Sequence, residues 1–241
     1  YSFIGRGLGT VDRIVTVSRW MKSELARYGL TSQYVGSPVP PDGLTLSRFP
    51  TTHPQLAYCG RLSVEKGVGL LLRAFASLYS GVPSARLRVI GSGPERERLE
   101  QLAGGLGLKD VVFFTGRLRG RALDEALGDA WALVVPSLWA EPLGLVAIEA
   151  IIRGLPVIAS RTGGLAETLE DGVNGLLFAN GDQPGLEALL RAVCTGAAFP
   201  ERALPVRVDG AGHHHAAVER VLLVDAGAAP GLDDAAVLDP D

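Results

Sequence analysis

One alternation limits what this chain can fold into. From about residue 54, six short apolar runs recur, at 55–60, 86–91, 111–116, 131–136, 156–160 and 175–179, each bounded by Gly or Pro. They are too short for helices and rich in β-forming residues. Each therefore reads as a strand buried on both faces, the pattern of a parallel sheet.

The intervening stretches carry helical periodicity. In 66–79, Val68, Leu71, Leu72, Phe75 and Leu78 recur at the three-and-four spacing of one helical face. In 94–106, Pro94 suits a first turn, and Glu95 and Glu97 suit the positive end of the helix dipole. A further helix over 182–193 has Asp182 as its N-cap. Strands alternating with helices predict an α/β fold: a doubly wound, Rossmann-like parallel sheet of about six strands. Such sheets bind ligands beyond the carboxyl ends of their strands, so the chemistry is sought there.

The first core strand ends at Gly60-Arg61, and Lys66 is expected to open the next helix. A cation there opposes the helix dipole, at a cost of about 0.3–1 kcal/mol unless an anion offsets it. Arg61 and Lys66 beside free helical N–H groups would suit a diphosphate. The competing reading is two solvated charges, with Glu65 pairing locally. After the second strand comes Gly91-Ser92-Gly93-Pro94. The dinucleotide fingerprint requires glycine where Arg96 stands, so that fingerprint fails. Gly91 reads either as a close approach to a ligand or as an ordinary tight turn. No phosphate loop of the Walker type occurs in the sequence.

The fourth strand is followed by Ser137-Leu-Trp-Ala-Glu141-Pro142-Leu143-Gly144-Leu145-Val146-Ala147-Ile148-Glu149-Ala150. A turn at Pro142–Gly144 and a helix from 144 to 153 are expected. At about 1.5 Å rise per residue, Glu149 stands roughly 7 Å along that helix. Glu141 and Glu149 would then grip different parts of an extended ligand, and the N–H groups of Gly144, Leu145 and Val146 would face its phosphates. Glu149 lies among apolar neighbours, which predicts a partner or a ligand for its carboxylate. The bland alternative makes both glutamates surface charges. Thr162-Gly163-Gly164 offers a further turn before a helix. The histidine run 213–215 could hold a metal only against its geometry, since adjacent residues diverge. No metal site and no cofactor are expected.

Charge and cysteine content close off other classes. The net charge is −3 and the two cysteines, Cys59 and Cys194, form no motif. Nucleic acid is not an expected partner, and no apolar run is long enough to span a bilayer. A reducing cytoplasm, or the inner membrane face approached from it, is the expected location.

The segments GRLSVEKGVGLLLRAF (60–75), LRVIGSGPERERLE (87–100), FTGRL (114–118), EPLGLVAIEA (141–150), GLPVIAS (154–160) and GGLAETLEDGVNGLLF (163–178) resemble the retaining family-4 glycosyltransferases of the two-domain GT-B fold. The resemblance spans about residues 10–193. It implies a C-terminal donor-binding domain over 51–194, preceded in 1–50 by the tail of an acceptor domain and a linker. It leaves 195–241 as an atypical extension, helical near 214–224 and then mobile. The implied reaction moves a sugar from a UDP-, GDP- or ADP-linked donor to an unknown acceptor with retention and without metal. Arg61 and Lys66 would neutralise the diphosphate, joined by the backbone of Gly144, Leu145 and Val146. Glu149 would hold the ribose, Glu141 would meet the sugar near the reacting carbon, and Gly91, Arg117 and Leu118 would border the nucleoside. Catalytic roles fall to Glu141, Arg61 and Lys66. The family's usual Asn and Phe are replaced by Ser37 and Leu143, and its N-terminal sugar-facing loops are not in this sequence. The isolated chain is therefore expected to bind donor without turnover. Two other readings are a non-catalytic nucleotide-sugar module acting with a separate N-terminal partner chain, and a glycoside hydrolase built on Glu141 and Glu149.

Overall fold

The computed structural model describes residues 12–36 and 53–198, together with the backbone of a short strand pair at 207–208 and 214–215. The first piece holds strand β1 (Val15–Thr16), helix α1 (Arg19–Arg27) and strand β2 (Gln33–Tyr34), with β1 and β2 paired in parallel. Ser18 caps α1, its hydroxyl accepting from the Met21 N–H at 3.0 Å.

The second piece is the sheet. In chain order it comprises β3 (Gln55–Cys59), a 3-10 turn (Val64–Lys66), α2 (Val68–Gly81), β4 (Arg86–Ile90), α3 (Arg96–Gly105), β5 (Val112–Gly116), α4 (Arg121–Gly128), β6 (Ala132–Val135), α5 (Leu145–Ile152), β7 (Val157–Ser160), α6 (Leu165–Thr168), β8 (Gly175–Phe178) and α7 (Gln183–Cys194). All six predicted strands are present. They lie parallel in the order β5-β4-β3-β6-β7-β8.

Alternation along the strands divides the core in two. On one face Leu56, Leu87, Val89, Val134, Ile158 and Phe178 pack with α2, α3 and α7 through Phe75, Leu99 and Leu190. On the other, Ala57, Ile90, Leu133, Val157 and Ala159 pack with α4, α5 and α6 through Leu127, Ile151 and Leu165. This is the doubly wound arrangement that the alternation predicts.

Sheet order reverses between β3 and β6. These strands share two register pairs, Leu56↔Ala132 and Ala57↔Leu133, at their amino ends. β3 continues against β4 as far as Cys59↔Ile90. A crevice therefore opens between the carboxyl ends of β3 and β6, at the switch point where such sheets take ligands.

Two details differ from expectation. Lys66 ends the 3-10 turn, and α2 begins only after Gly67, which sits at φ 70°. The extra turn exists because the chain must pass under the β6 loop: a Cβ on Gly67 would stand 1.8 Å from the Pro136 carbonyl oxygen. Only glycine supplies both the left-handed backbone and the space. The second difference is at His214–His215, which form a strand antiparallel to Arg207–Val208 where a helix is predicted. The rest of that predicted helix, the linker and the terminus expected to be mobile fall outside the described residues.

Gly67→Ala is expected to lower the unfolding free energy by ~3 kcal/mol, combining left-handed strain with overpacking. Gly181 has φ 78° but open space around it. Gly181→Ala should cost only ~1–2 kcal/mol. Urea unfolding of both variants checks the difference, and equal losses would contradict it.

Candidate functional site

The sequence-predicted residues gather along the carboxyl ends of β3, β4, β5 and β6, in two adjoining groups. The first group encloses a cavity of about 530 Å³ lined by Cys59, Gly60, Arg61, Ile90, Gly91, Ser92, Gly93, Arg117 and Leu118. Arg61 and Arg117 are exposed at its mouth. Neither guanidinium takes an ion pair or a hydrogen bond among the described residues.

The cavity walls are stitched together by backbone. Gly60 N–H donates to the Ile90 carbonyl at 3.0 Å and Leu62 N–H to that of Ser92 at 3.0 Å. A Cβ on Gly91 would meet the Gly60 oxygen at 1.8 Å. Gly91 therefore answers a backbone-to-backbone approach between two loops, and it also lines the cavity. Tyr58 props the same corner, its hydroxyl donating to the Arg61 carbonyl at 2.7 Å.

The second group sits across the crevice, on the loop after β6. Glu141 has a side chain only 10% exposed. Its Oε1 accepts from Lys66 Nζ at 2.6 Å and from Ser137 Oγ at 2.6 Å. The Lys66 ammonium also lies 5.2 Å from the centroid of the Trp139 ring, a cation–π contact. So Lys66 is paired, but with Glu141 from another loop. Glu65 instead accepts from the Ser63 hydroxyl at 2.6 Å. That bond chiefly, with the nearby Arg61 and Lys66 charges adding, holds the Glu65 carboxyl below its usual range.

The β6 loop is fixed from every side. Leu138 N–H donates to the Glu65 carbonyl at 2.8 Å, Ser160 Oγ to that of Ser137 at 2.6 Å, and Gly164 N–H to that of Glu141 at 2.6 Å. Thr168 Oγ1 donates to the Leu143 carbonyl at 2.9 Å and Asn180 Nδ2 to that of Leu138 at 3.0 Å. Its last residue, Gly144 at φ 80°, caps α5. The N–H groups of Gly144, Leu145 and Val146 donate to nothing among the described residues. They are the free donors that any helix leaves at its start.

Glu149 differs from expectation. It lies on the exposed face of α5 and makes no side-chain bond among the described residues. The helix is apolar in composition, yet Ala147, Ala150 and Ile151 alone are buried on it. The carboxylate is therefore hydrated and needs no internal partner. It stays close enough to Cys59 to influence that thiol. Burial first, then the Glu149 charge, pushes the Cys59 pKa up to about 11, with Arg153 opposing.

Several residues of the site were not singled out from sequence. Ser137 and Trp139 orient the Lys66–Glu141 pair, Cys59 lines the cavity, and Arg153 stands behind it. Ser137 had one signal, a hydroxyl at a strand end four residues before the glutamate. Arg153 had another, a lone cation in an apolar helix.

The same stretch of chain matches known proteins. The family described as "Glycosyl transferases group 1" matches residues 47–203, well over half of the sequence. The chain belongs to the group 1 glycosyl transferases. It is 37% identical over 153 residues to a sulfoquinovosyl transferase of Arabidopsis thaliana, covering 62% of this chain and 28% of that protein. It is 38% identical over 189 residues to a D-inositol 3-phosphate glycosyltransferase of Streptomyces griseus, covering 73% of this chain and 39% of that protein. Among solved structures, the sucrose-phosphate synthase of Thermosynechococcus elongatus superposes with a TM-score of 0.69 at 31% identity, over 77% of this chain and 50% of that one. HepE of Anabaena, solved with UDP and glucose, shares the fold with a TM-score of 0.69 at 22% identity, over 76% of this chain and 53% of that one. The glycosyl transferase chain thus spans well under half the length of the curated relatives it matches. Its sheet is the Rossmann-like C-terminal half of a GT-B fold.

The Cys59 thiol gives a pH test. Its pKa is raised from 9.0 to about 11. The folded chain thus holds that proton above pH 9, where the unfolded chain releases it. Stability from this group is complete below pH 9 and is lost as pH rises towards 11. Iodoacetamide alkylation of folded Cys59 should still climb about tenfold per unit at pH 10. A rate that levels off near pH 9 would contradict the assigned shift.

Proposed function

We propose that this chain is the donor-binding half of a retaining glycosyltransferase, taking a nucleoside-diphosphate sugar in the crevice between β3 and β6. The observation that supports the reading is the Lys66–Glu141 bond, which joins the β3 loop bearing Arg61 to the loop that ends at the free N–H groups of Gly144, Leu145 and Val146. Cations and unpaired helix donors together suit a diphosphate. The cavity beside Arg61 is then the place of the nucleoside, bordered by Gly91, Arg117 and Leu118.

In this reading each group has one task. Lys66 keeps one N–H on Glu141, and its remaining donors turn to the diphosphate. Arg61 supplies the second positive charge. Glu149, hydrated in the free chain, exchanges water for the ribose hydroxyls. Glu141 is held by Ser137 and Lys66 through Oε1, which leaves its other oxygen for a sugar hydroxyl near the reacting carbon. As the glycosidic bond breaks, negative charge grows on the leaving diphosphate and positive charge on the sugar. Fixed cations on the first and a carboxylate beside the second lower the barrier without a metal.

The residue ranges follow from the same reading. Residues 51–194 form the donor domain, and β1, α1 and β2 belong to the edge of the acceptor domain. A UDP-, GDP- or ADP-linked sugar is the proposed substrate, with the acceptor held by that other domain, in the cytoplasm. A relative in Mycolicibacterium smegmatis, 35% identical over 163 residues, is named for its dependence on GDP-mannose, and this supports a nucleoside-diphosphate sugar as donor.

Lys66→Ala should weaken binding of the nucleoside diphosphate by roughly 1.5–3 kcal/mol, the worth of one charged hydrogen bond. Calorimetric titration with UDP, GDP and ADP measures this. Unchanged affinity in a folded variant would sink the diphosphate assignment.

A further inference from the structure

Helix α4 is poorly anchored by burial. It is eight residues long and only Leu127 is buried on it. Yet it follows directly on Arg117 and Leu118, which form one wall of the cavity. Its apolar anchorage is Leu127, with Leu123 and Ala126 partly buried beside it, and polar ties add to this.

Two arginines supply those ties. Arg88, on β4, donates through Nη1 to the Ala126 carbonyl. Arg153, just past α5, is 9% exposed. Its Nε reaches Asp124 Oδ1 at 3.1 Å and its Nη2 the same oxygen at 3.1 Å. Its third nitrogen, Nη1, donates to the carbonyl of Glu149 at 3.0 Å. One buried guanidinium thus joins α4, which carries the Arg117–Leu118 wall, to the turn of α5 that carries Glu149. The two elements are far apart in sequence and meet nowhere else through a charged group among the described residues. Cys59, on the cavity wall, feels the charges of both Glu149 and Arg153.

An ion pair that is buried on the Arg153 side and part-exposed at Asp124 is a poor source of stability, because desolvation and solvent screening offset its attraction. Its value lies in geometry, since a planar guanidinium with three fixed donors sets distance and angle together. We propose that Arg153, through Asp124 and the Glu149 carbonyl, is a positioning residue that sets the width of the nucleoside pocket. This rests on reading the 530 Å³ cavity as the nucleoside site. Arg153 touches no part of the ligand. It holds the Arg117–Leu118 wall at a fixed distance from Glu149, so that a base and its ribose are gripped at once. The diphosphate crevice at Lys66 does not depend on it.

The test separates the two parts of the ligand. Arg153→Met, Arg153→Lys and Asp124→Ala are compared with the parent chain by calorimetric titration against UDP, GDP and ADP, and against inorganic pyrophosphate. Circular dichroism checks the fold of each. Arg153→Met should bind the preferred nucleoside diphosphate about tenfold more weakly, as expected for a misplaced wall, with pyrophosphate affinity unchanged. Arg153→Lys should restore little, because an ammonium lacks the planar fork. Asp124→Ala removes the carboxylate acceptor, keeps the Glu149 contact and should show the same selective loss, which keeps the inference open to refutation if Arg153→Met does not fold. Parallel losses for nucleotide and pyrophosphate, or no loss for either in a folded variant, would overturn it. Failure of the parent chain to bind any of the three nucleotides would instead remove the nucleoside-site reading, and this inference with it.

Discussion

A carboxylate withdrawn from water needs compensating charge, and Glu141 obtains it from a lysine 75 residues away in sequence. That bond joins the loop after β3 to the loop after β6, the two strands between which the sheet reverses direction. Much else at the site follows from it. Gly67 must be glycine because the β3 loop passes against Pro136. Ser137 completes the shell of Glu141 and is itself held by Ser160. The start of α5 is aimed by the same loop, since Gly164 and Thr168 bind its carbonyls. Removing Lys66 would leave Glu141 with one donor on Oε1, so the pair is a constraint on shape before it is a source of stability.

This constraint splits the crevice into two environments. On the Lys66 side lie paired charge, an aromatic ring and free helix donors. On the Arg61 side lies a cavity walled by glycine backbone, with exposed guanidinium groups at its mouth. The first suits an anion that is compact and multiply charged. The second suits a larger, flatter group. The proposed nucleoside-diphosphate ligand has both parts in one molecule.

The layering of the fold was legible because strands buried on both faces leave uninterrupted apolar runs, and all six could be counted. The ligand-facing strand ends were equally visible, since Gly and Pro mark them. What sequence hid were contacts made across the chain. Lys66 read as a helix-opening cation suited to a diphosphate, or else a solvated charge beside Glu65, because nothing local reveals that Glu141 lies beside it. Glu149 read as an uncomfortable carboxylate on an apolar helix, but a helix of eight residues has room to bury only one edge and leave another wet. Arg153 gave a signal that is easy to pass over: its partner Asp124 lies 29 residues earlier, on a helix with weak apolar character.

The central claim is that one ligand bridges both sides of the β3–β6 crevice. Amide chemical-shift mapping of the nitrogen-15-labelled chain, titrated with UDP, GDP and ADP, tests it most directly. The account predicts that one nucleotide shifts the amides of Gly144, Leu145 and Val146 together with those of Arg61, Gly91 and Leu118, at a single affinity. Shifts confined to one side of the crevice, or centred elsewhere on the sheet, would contradict it.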